Sequence, residues 1–313
     1  MNRRPEGVFV AITTPFDEST GEVAPIALRN NARTLLDNGV NGILAAGSTG
    51  EAALLSDEEY RSVLSWLRDV VPEDRWLLAG AGRESTRATV LACQTATDEG
   101  ADAVLVRPPA YYGPTLSAAA LVEHFRRIAD ESPLPVLIYN IPKYTHVALA
   151  DQILAALGDH PNVIGAKDSS GDLKNFAAYR TAVPRWALFV GSGALLYAAL
   201  EMGAVGGVLA AACFAAPLAL RIAHAFERKD RVAAGAAQET LTPINKEIVS
   251  SLGVPGIKAA MDIVGLVGGA VRRPLQDLGS RERQRLAELL RTAGIAARTA
   301  AGERVEGGAE VRS

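Results

Sequence analysis

Little in this sequence offers a covalent or metallic staple. Cysteine occurs twice in 313 residues, as Cys93 and Cys213, far apart and with no second thiol near either. That excludes a disulfide framework and a cysteine-based zinc site. Both read as small core residues of a reducing compartment, so a cytoplasmic location is expected. The four histidines, His124, His146, His160 and His224, are equally isolated, with no His-x-His or His-Glu-x-x-His spacing. No metal site and no cofactor are expected. Charge is neither abundant nor one-sided: 21% of residues are charged and the net charge is −3, which removes the basic stripe that a nucleic-acid partner needs. The longest apolar run, 204–220, is broken by Gly206-Gly207 and Pro217 and falls short of a membrane span. The N-terminal Met1-Asn2-Arg3-Arg4-Pro5 has no apolar segment behind its arginines to make a secretory signal.

What the chain does have is 49% hydrophobic residues in a repeating arrangement. Short apolar runs stand at 8–12, 42–46, 76–80, 103–106, 136–139, 163–167, 187–190 and 206–209. Each is bounded by Gly, Pro or polar residues and followed by a longer amphipathic segment, the alternation of a parallel sheet with crossover helices. Helix signals agree with it. A helix over 25–38 is stopped by Gly39, Ser56-Asp57-Glu58-Glu59 is a capping box, and 117–131 places Leu121, Val122, Phe125 and Ile128 on one face. Eight such units predict an α/β fold of the closed (β/α)8 TIM-barrel type over 1–216. Beyond Pro217 no strand signal appears. Helices are expected near 218–228, over 231–251, from about 255 and after Ser280. They form a C-terminal helical region, 217–300, for packing or assembly, ahead of a disordered tail at 301–313.

In such a barrel the chemistry sits at the C-terminal ends of the strands. The sixth run ends on Lys167, directly before Asp168-Ser169-Ser170-Gly171. A lysine there either snorkels to solvent and does nothing, or is buried with a lowered pKa and serves as an amine nucleophile. The other strand ends decide between the two. They supply Ser48, Thr49 and Glu51 after the second run, Arg107 and Tyr111-Tyr112 after the fourth, Tyr139 after the fifth and Ser192 after the seventh. A lysine to form a Schiff base with a ketone, a tyrosine to shuttle protons and hydroxyls to hold a carboxylate make a coherent set. Glu51 reads as structural, tying its loop to the next helix N-terminus. Arg107 reads as one half of a surface ion pair, ahead of the alternative, a contact with a distal carboxylate.

Three motifs in order, Gly47-Ser48-Thr49-Gly50-Glu51, Tyr139-Asn140-Ile141-Pro142 and Lys167 lying 28 positions after Tyr139, resemble the dihydrodipicolinate synthase and N-acetylneuraminate lyase superfamily of class I pyruvate-dependent aldolases. The resemblance runs from Thr13-Thr14-Pro15-Phe16 into the helical end. It implies that Lys167 is the Schiff-base lysine, Tyr139 its proton relay, and Ser48 and Thr49, with Gly50, the seat of the substrate carboxylate. It also implies that Ser169, Gly191 and Val208 wall the 2-oxo acid pocket. One of Tyr111 and Tyr112 would reach a neighbouring subunit's site, which needs a homodimer or homotetramer; as a plain aromatic pair the two would anchor the same contact.

Within that superfamily the synthase branch needs an arginine five residues after the relay tyrosine, and Tyr144 stands there. A phenol cannot make the bidentate charged contact of a guanidinium. A synthase would need another cation near Tyr144, and the adjacent Lys143 is expected to point elsewhere. Ala79-Gly80-Ala81-Gly82-Arg83-Glu84-Ser85-Thr86, Ser117-Ala118-Ala119-Ala120-Leu121, Lys167-Asp168-Ser169-Ser170-Gly171-Asp172 and Gly203-Ala204-Val205-Gly206-Gly207-Val208 look more like the 4-hydroxy-2-oxoglutarate aldolase branch. The expected activity is cleavage of a 4-hydroxy-2-oxo acid, 4-hydroxy-2-oxoglutarate or a 2-keto-3-deoxy sugar acid, to pyruvate and an aldehyde. The alternatives are 4-hydroxy-tetrahydrodipicolinate synthesis from pyruvate and aspartate semialdehyde, and dehydration of a deoxy-sugar acid.

Overall fold

The computed structural model describes residues 4–295, so the tail expected at 301–313 lies outside the described residues. Eight parallel strands close on themselves in sequence order: β1 Gly7–Ala11, β2 Gly42–Ala45, β3 Trp76–Gly80, β4 Ala103–Val106, β5 Val136–Asn140, β6 Val163–Asp168, β7 Ala187–Val190 and β8 Gly206–Leu209, with β8 pairing back onto β1. Helices alternate with them, beginning with α1 (Pro25–Asp37), and the fold is the (β/α)8 barrel. The strands read as unbroken apolar runs because both of their faces are covered. Inward side chains such as Phe9, Leu78, Leu137 and Phe189 fill the barrel, while the alternate residues Val8, Val10, Val104 and Ile138 pack outward under the helices. Phe9 and Phe189 meet edge to face at 5.3 Å across the interior.

The helix starts follow local chemistry. Ser56 opens α2 (Asp57–Arg68) with a complete capping box: the Glu59 amide donates to Ser56 Oγ at 3.1 Å and the Ser56 amide to Glu59 Oε2 at 2.8 Å. Ser85 caps α3 (Thr86–Asp98) and Ser117 caps α4 (Ala118–Glu131), as their positions before each amphipathic stretch predict.

Two stretches depart from the sequence reading. The loop after β5 holds a short helix, α5 (Pro142–Thr145), which is not among the helices read from the sequence, before α6 (Asp151–Ala155). Proline at the first helical position starts α5, and four residues are too few for periodicity to reveal it. The helix that leaves the barrel, α9 (Ala212–Glu227), begins ahead of Pro217. Its dihedrals break at Ala215 (φ −133°), so Pro217 sits in the first turn of the segment after the kink, where a missing N–H costs nothing.

Between them lie α7 (Leu173–Ala182) and α8 (Leu196–Glu201), and after α9 come α10 (Arg231–Ile244), a π-helical stretch Asn245–Leu252, α11 (Gly253–Ile263) and α12 (Ser280–Thr292). No helix among the described residues is long and apolar enough to cross a membrane. The π-helical stretch and α11 lie over the C-terminal mouth of the barrel, where they close the site.

Candidate active site

Parallel register pairs Tyr139 of β5 with Lys167 of β6, and Asn140 with Asp168. Because side chains alternate along a strand, register partners share a face. Tyr139 and Lys167 therefore converge at the mouth, where Lys167 Nζ lies 4.5 Å from the centre of the Tyr139 ring. Lys167 is 4% exposed and forms no ion pair among the described residues. Burial alone pulls its pKa from 10.5 to about 7, so roughly half of the amine is unprotonated and nucleophilic at neutral pH.

Asn140 and Asp168 brace the strand ends from the opposite face. Asn140 Nδ2 donates to Asp168 Oδ1 at 2.8 Å, and Asn140 Oδ1 accepts from the Leu149 amide at 3.1 Å. Asp168 also accepts from the Ser170 amide at 3.1 Å, Ser170 Oγ at 2.8 Å and Asn175 Nδ2 at 3.2 Å. This buried carboxylate fixes the Ser169-Ser170 turn. Its signal in the sequence is slight: each bracing residue directly follows a reactive one on its strand.

Ser48 and Thr49 come from the loop after β2, which turns through left-handed dihedrals at Ala46 (φ 47°) and Glu51 (φ 57°). Burial pushes the Tyr139 phenol up to about 12, opposed by hydrogen bonds from Ser169 and Ser48. Gly191 closes the far side. A Cβ there would strike Ser169 Oγ and come within 3.0 Å of Lys167 Cε, so only glycine leaves the lysine its place. The neighbouring Gly193 amide donates to Asn245 Oδ1 at 3.1 Å, fastening the π-helical stretch to the end of β7.

These groups enclose a cavity of about 250 Å³ whose lining includes Ser48, Thr49, Tyr139, Tyr144, Lys167, Ser169 and Gly191. Gly50 and Val208, also expected in the site, stand outside that lining. Gly50 lies behind the loop, its carbonyl accepting from Thr14 Oγ1 at 2.8 Å. Val208 is the register partner of Phe9, so its side chain packs in the barrel interior below the mouth. Tyr111 and Tyr112 stack edge to face at 4.9 Å and are 80% and 68% exposed, away from this chain's own cavity.

Three further expectations are corrected. Lys143 does not point away: it lines the cavity beside Tyr144, and its Nζ donates to the Ser250 carbonyl at 2.9 Å. Lys143 stands on α5 and stays exposed to solvent at the rim of the cavity. Glu51 ties its loop to the C-terminal region, not to the next helix: Oε2 accepts from the Arg272 amide at 2.9 Å, and Oε1 meets Lys258 Nζ at 2.6 Å as an ion pair off the hydrogen-bonding direction. The C-terminal helices are more than packing, because Asn245, Val249, Ser250, Gly253, Val254 and Ile257 all line the cavity. No local motif marks those residues; only closure of the fold brings them there. Arg107 pairs with Glu84 at 2.8 Å, as read. A second, mostly apolar chamber of about 550 Å³ shares Ser48, Tyr139 and Tyr144 with the first. Among the described residues no cluster of three His, Cys, Asp or Glu side chains could hold a metal ion.

Known proteins resemble the chain over most of its length. Residues 4–293 match the model of the dihydrodipicolinate synthetase family. A 4-hydroxy-tetrahydrodipicolinate synthase of Synechococcus sp. (strain CC9605) is 37% identical over 273 residues, covering 87% of this chain and 89% of that protein. An uncharacterised DapA-like lyase of Halobacterium salinarum is 34% identical over 289 residues, covering 92% and 94%. Among solved structures, YagE, a prophage protein of the dihydrodipicolinic acid synthase family from E. coli K12 in complex with pyruvate, superposes with a TM-score of 0.88 at 26% identity over 93% of this chain and 99% of that one. The chloride-inhibited dihydrodipicolinate synthase from Acinetobacter baumannii complexed with pyruvate gives 0.88 at 29% identity, with the same coverage.

Proposed function

The chain belongs to the dihydrodipicolinate synthetase family, and on that premise we propose that it is a Schiff-base lyase cleaving a 4-hydroxy-2-oxo acid to pyruvate and an aldehyde. The observation that carries this reading is Lys167, a buried amine with a pKa near neutrality against the face of Tyr139. Its free amine attacks the C2 ketone, water leaves, and the resulting iminium accepts the electron pair as the C3–C4 bond breaks. The C4 hydroxyl proton then has to leave. With its pKa at about 12, Tyr139 keeps its own proton at pH 7, so it works as a relay: it takes the substrate proton while passing its own toward Ser48 or Ser169. Ser48 and Thr49 hold the C1 carboxylate, and protonation and hydrolysis of the enamine release pyruvate. The exposed Tyr111-Tyr112 pair would complete the site of a neighbouring copy in a homodimer or homotetramer.

A second reading is 4-hydroxy-tetrahydrodipicolinate synthesis, the activity named for the Synechococcus relative. One observation favours it: a cation does stand beside Tyr144, in the form of Lys143. Both reactions begin with pyruvate or a 2-oxo acid on Lys167, so one experiment tests the shared step. Borohydride reduction in the presence of pyruvate, followed by peptide mass analysis, is expected to place the adduct on Lys167. Its rate should rise with pH through about 7 and level off above, because only the free amine attacks. No adduct, or an adduct on another lysine, overturns the mechanism. Incubation with pyruvate plus aspartate semialdehyde then separates the two readings by product.

A further inference from the structure

We infer that Lys143 is a specificity-determining residue that grips a carboxylate at the far end of the substrate, so that the aldehyde released or accepted carries its own carboxylate. The inference rests on the reading of Lys167 above. It starts from the charges around the cavity. Among the described residues no Asp or Glu lines it, and the cationic side chains in its lining are Lys143 and Lys167. Lys167 is committed to the C2 ketone. Lys143 has no acidic partner among the described residues, whereas Arg107, the nearby cation of the second chamber, is held by Glu84 at 2.8 Å.

The present partner of Lys143 is a neutral one, the Ser250 carbonyl, and its Nζ lies 5.5 Å from the centre of the Tyr144 ring. Exchanging the carbonyl for a carboxylate pairs the ammonium with a charged acceptor and adds the attraction of opposite charges to a hydrogen bond that the ammonium already makes. Burial raises the Tyr144 phenol above its ordinary value, so it stays a neutral O–H donor. An arriving carboxylate therefore meets an ammonium and a hydroxyl side by side. An uncharged, sugar-like end would leave the ammonium where it is and gain neither contact. This separates acidic acceptors, such as glyoxylate or aspartate semialdehyde, from the neutral aldehydes that deoxy-sugar acids release.

The test needs no turnover. Borohydride trapping at Lys167 is titrated with 2-oxoglutarate and with 2-oxopentanoate, two acids of equal length that differ in a distal carboxylate against a methyl group. The wild-type protein is expected to half-saturate at about 10–100-fold lower 2-oxoglutarate, the range of a hydrogen bond to a charged group. Lys143→Met should shrink that ratio at least tenfold, and Lys143→Arg should keep most of it. Equal half-saturation in wild type, an unchanged ratio in Lys143→Met, or trapping of pyruvate alone each overturns the inference. Absence of a pyruvate adduct in wild type overturns the reading of Lys167, and this inference with it.

Discussion

Replacing Lys167 with Met is expected to abolish adduct formation and turnover while making the protein more stable. The two effects share one cause. Keeping this amine buried lowers its pKa from 10.5 to about 7, and a shift of that size disfavours the folded state by up to about 4 kcal/mol at pH 7. Methionine fills a similar volume without a charge to desolvate, so packing around Phe189 and Tyr139 is kept. The sign of the pH dependence follows from a folded pKa that lies below the unfolded one. The penalty is fully present below pH 7, where the unfolded lysine is charged and the folded one is being forced to charge. It fades as pH rises from 7 toward 10.5 and the unfolded lysine loses its own proton. The gain in unfolding midpoint of Lys167→Met over wild type should therefore be largest at or below pH 7 and shrink toward pH 10. A midpoint difference independent of pH, or a less stable variant, would show that Lys167 is not the desolvated amine described above.

The second large effect is expected at the other buried cation. Lys258 and Glu51 have side chains that are 2% and 1% exposed, and Lys258 Nζ also donates to the Ala270 carbonyl at 2.6 Å and lies 4.5 Å over the Phe16 ring. Burial lowers the pKa of Lys258, and Glu51 is the main influence opposing that. Glu51→Gln removes the opposing charge and strands the ammonium, which costs about 3–5 kcal/mol. Glu51→Leu combined with Lys258→Met removes both charges and should recover most of that loss. Equilibrium denaturation of the three proteins makes the comparison, and equal destabilisation of the single and double variants is the result that sinks it. Glu51 lies only two residues from Thr49, so the single variant should also weaken pyruvate trapping through the displaced Ser48-Thr49 loop.

Barrel, strand positions and the Lys167, Tyr139 and Ser48 set are legible in the sequence because each is local. An apolar run, a following polar turn and a reactive residue at the junction are read within about ten positions. Register does the rest: Tyr139 and Lys167 face one another because β5 and β6 pair without a slip between them there. What escapes are contacts with no sequence neighbourhood. Glu51 reads as a cap for its own helix and instead crosses to Lys258, 207 positions away. Asn245 and Ser250 carry no motif, yet they wall the cavity. Val208, which the resemblance implies in the pocket, is the register partner of Phe9 and packs with it in the barrel interior. Lys143 escapes differently, because the four-residue helix that carries it to the rim of the cavity is too short for periodicity to reveal.

The wall contributed by 245–257 also has a bearing on biosynthesis. These residues leave the ribosome last among those that touch the cavity, well after all eight strands. A chain still without them would leave the cavity mouth open, and a lysine that water reaches there keeps its proton at neutral pH. On that account the last turns of helix to be made complete the wall behind which the Lys167 amine is free to react.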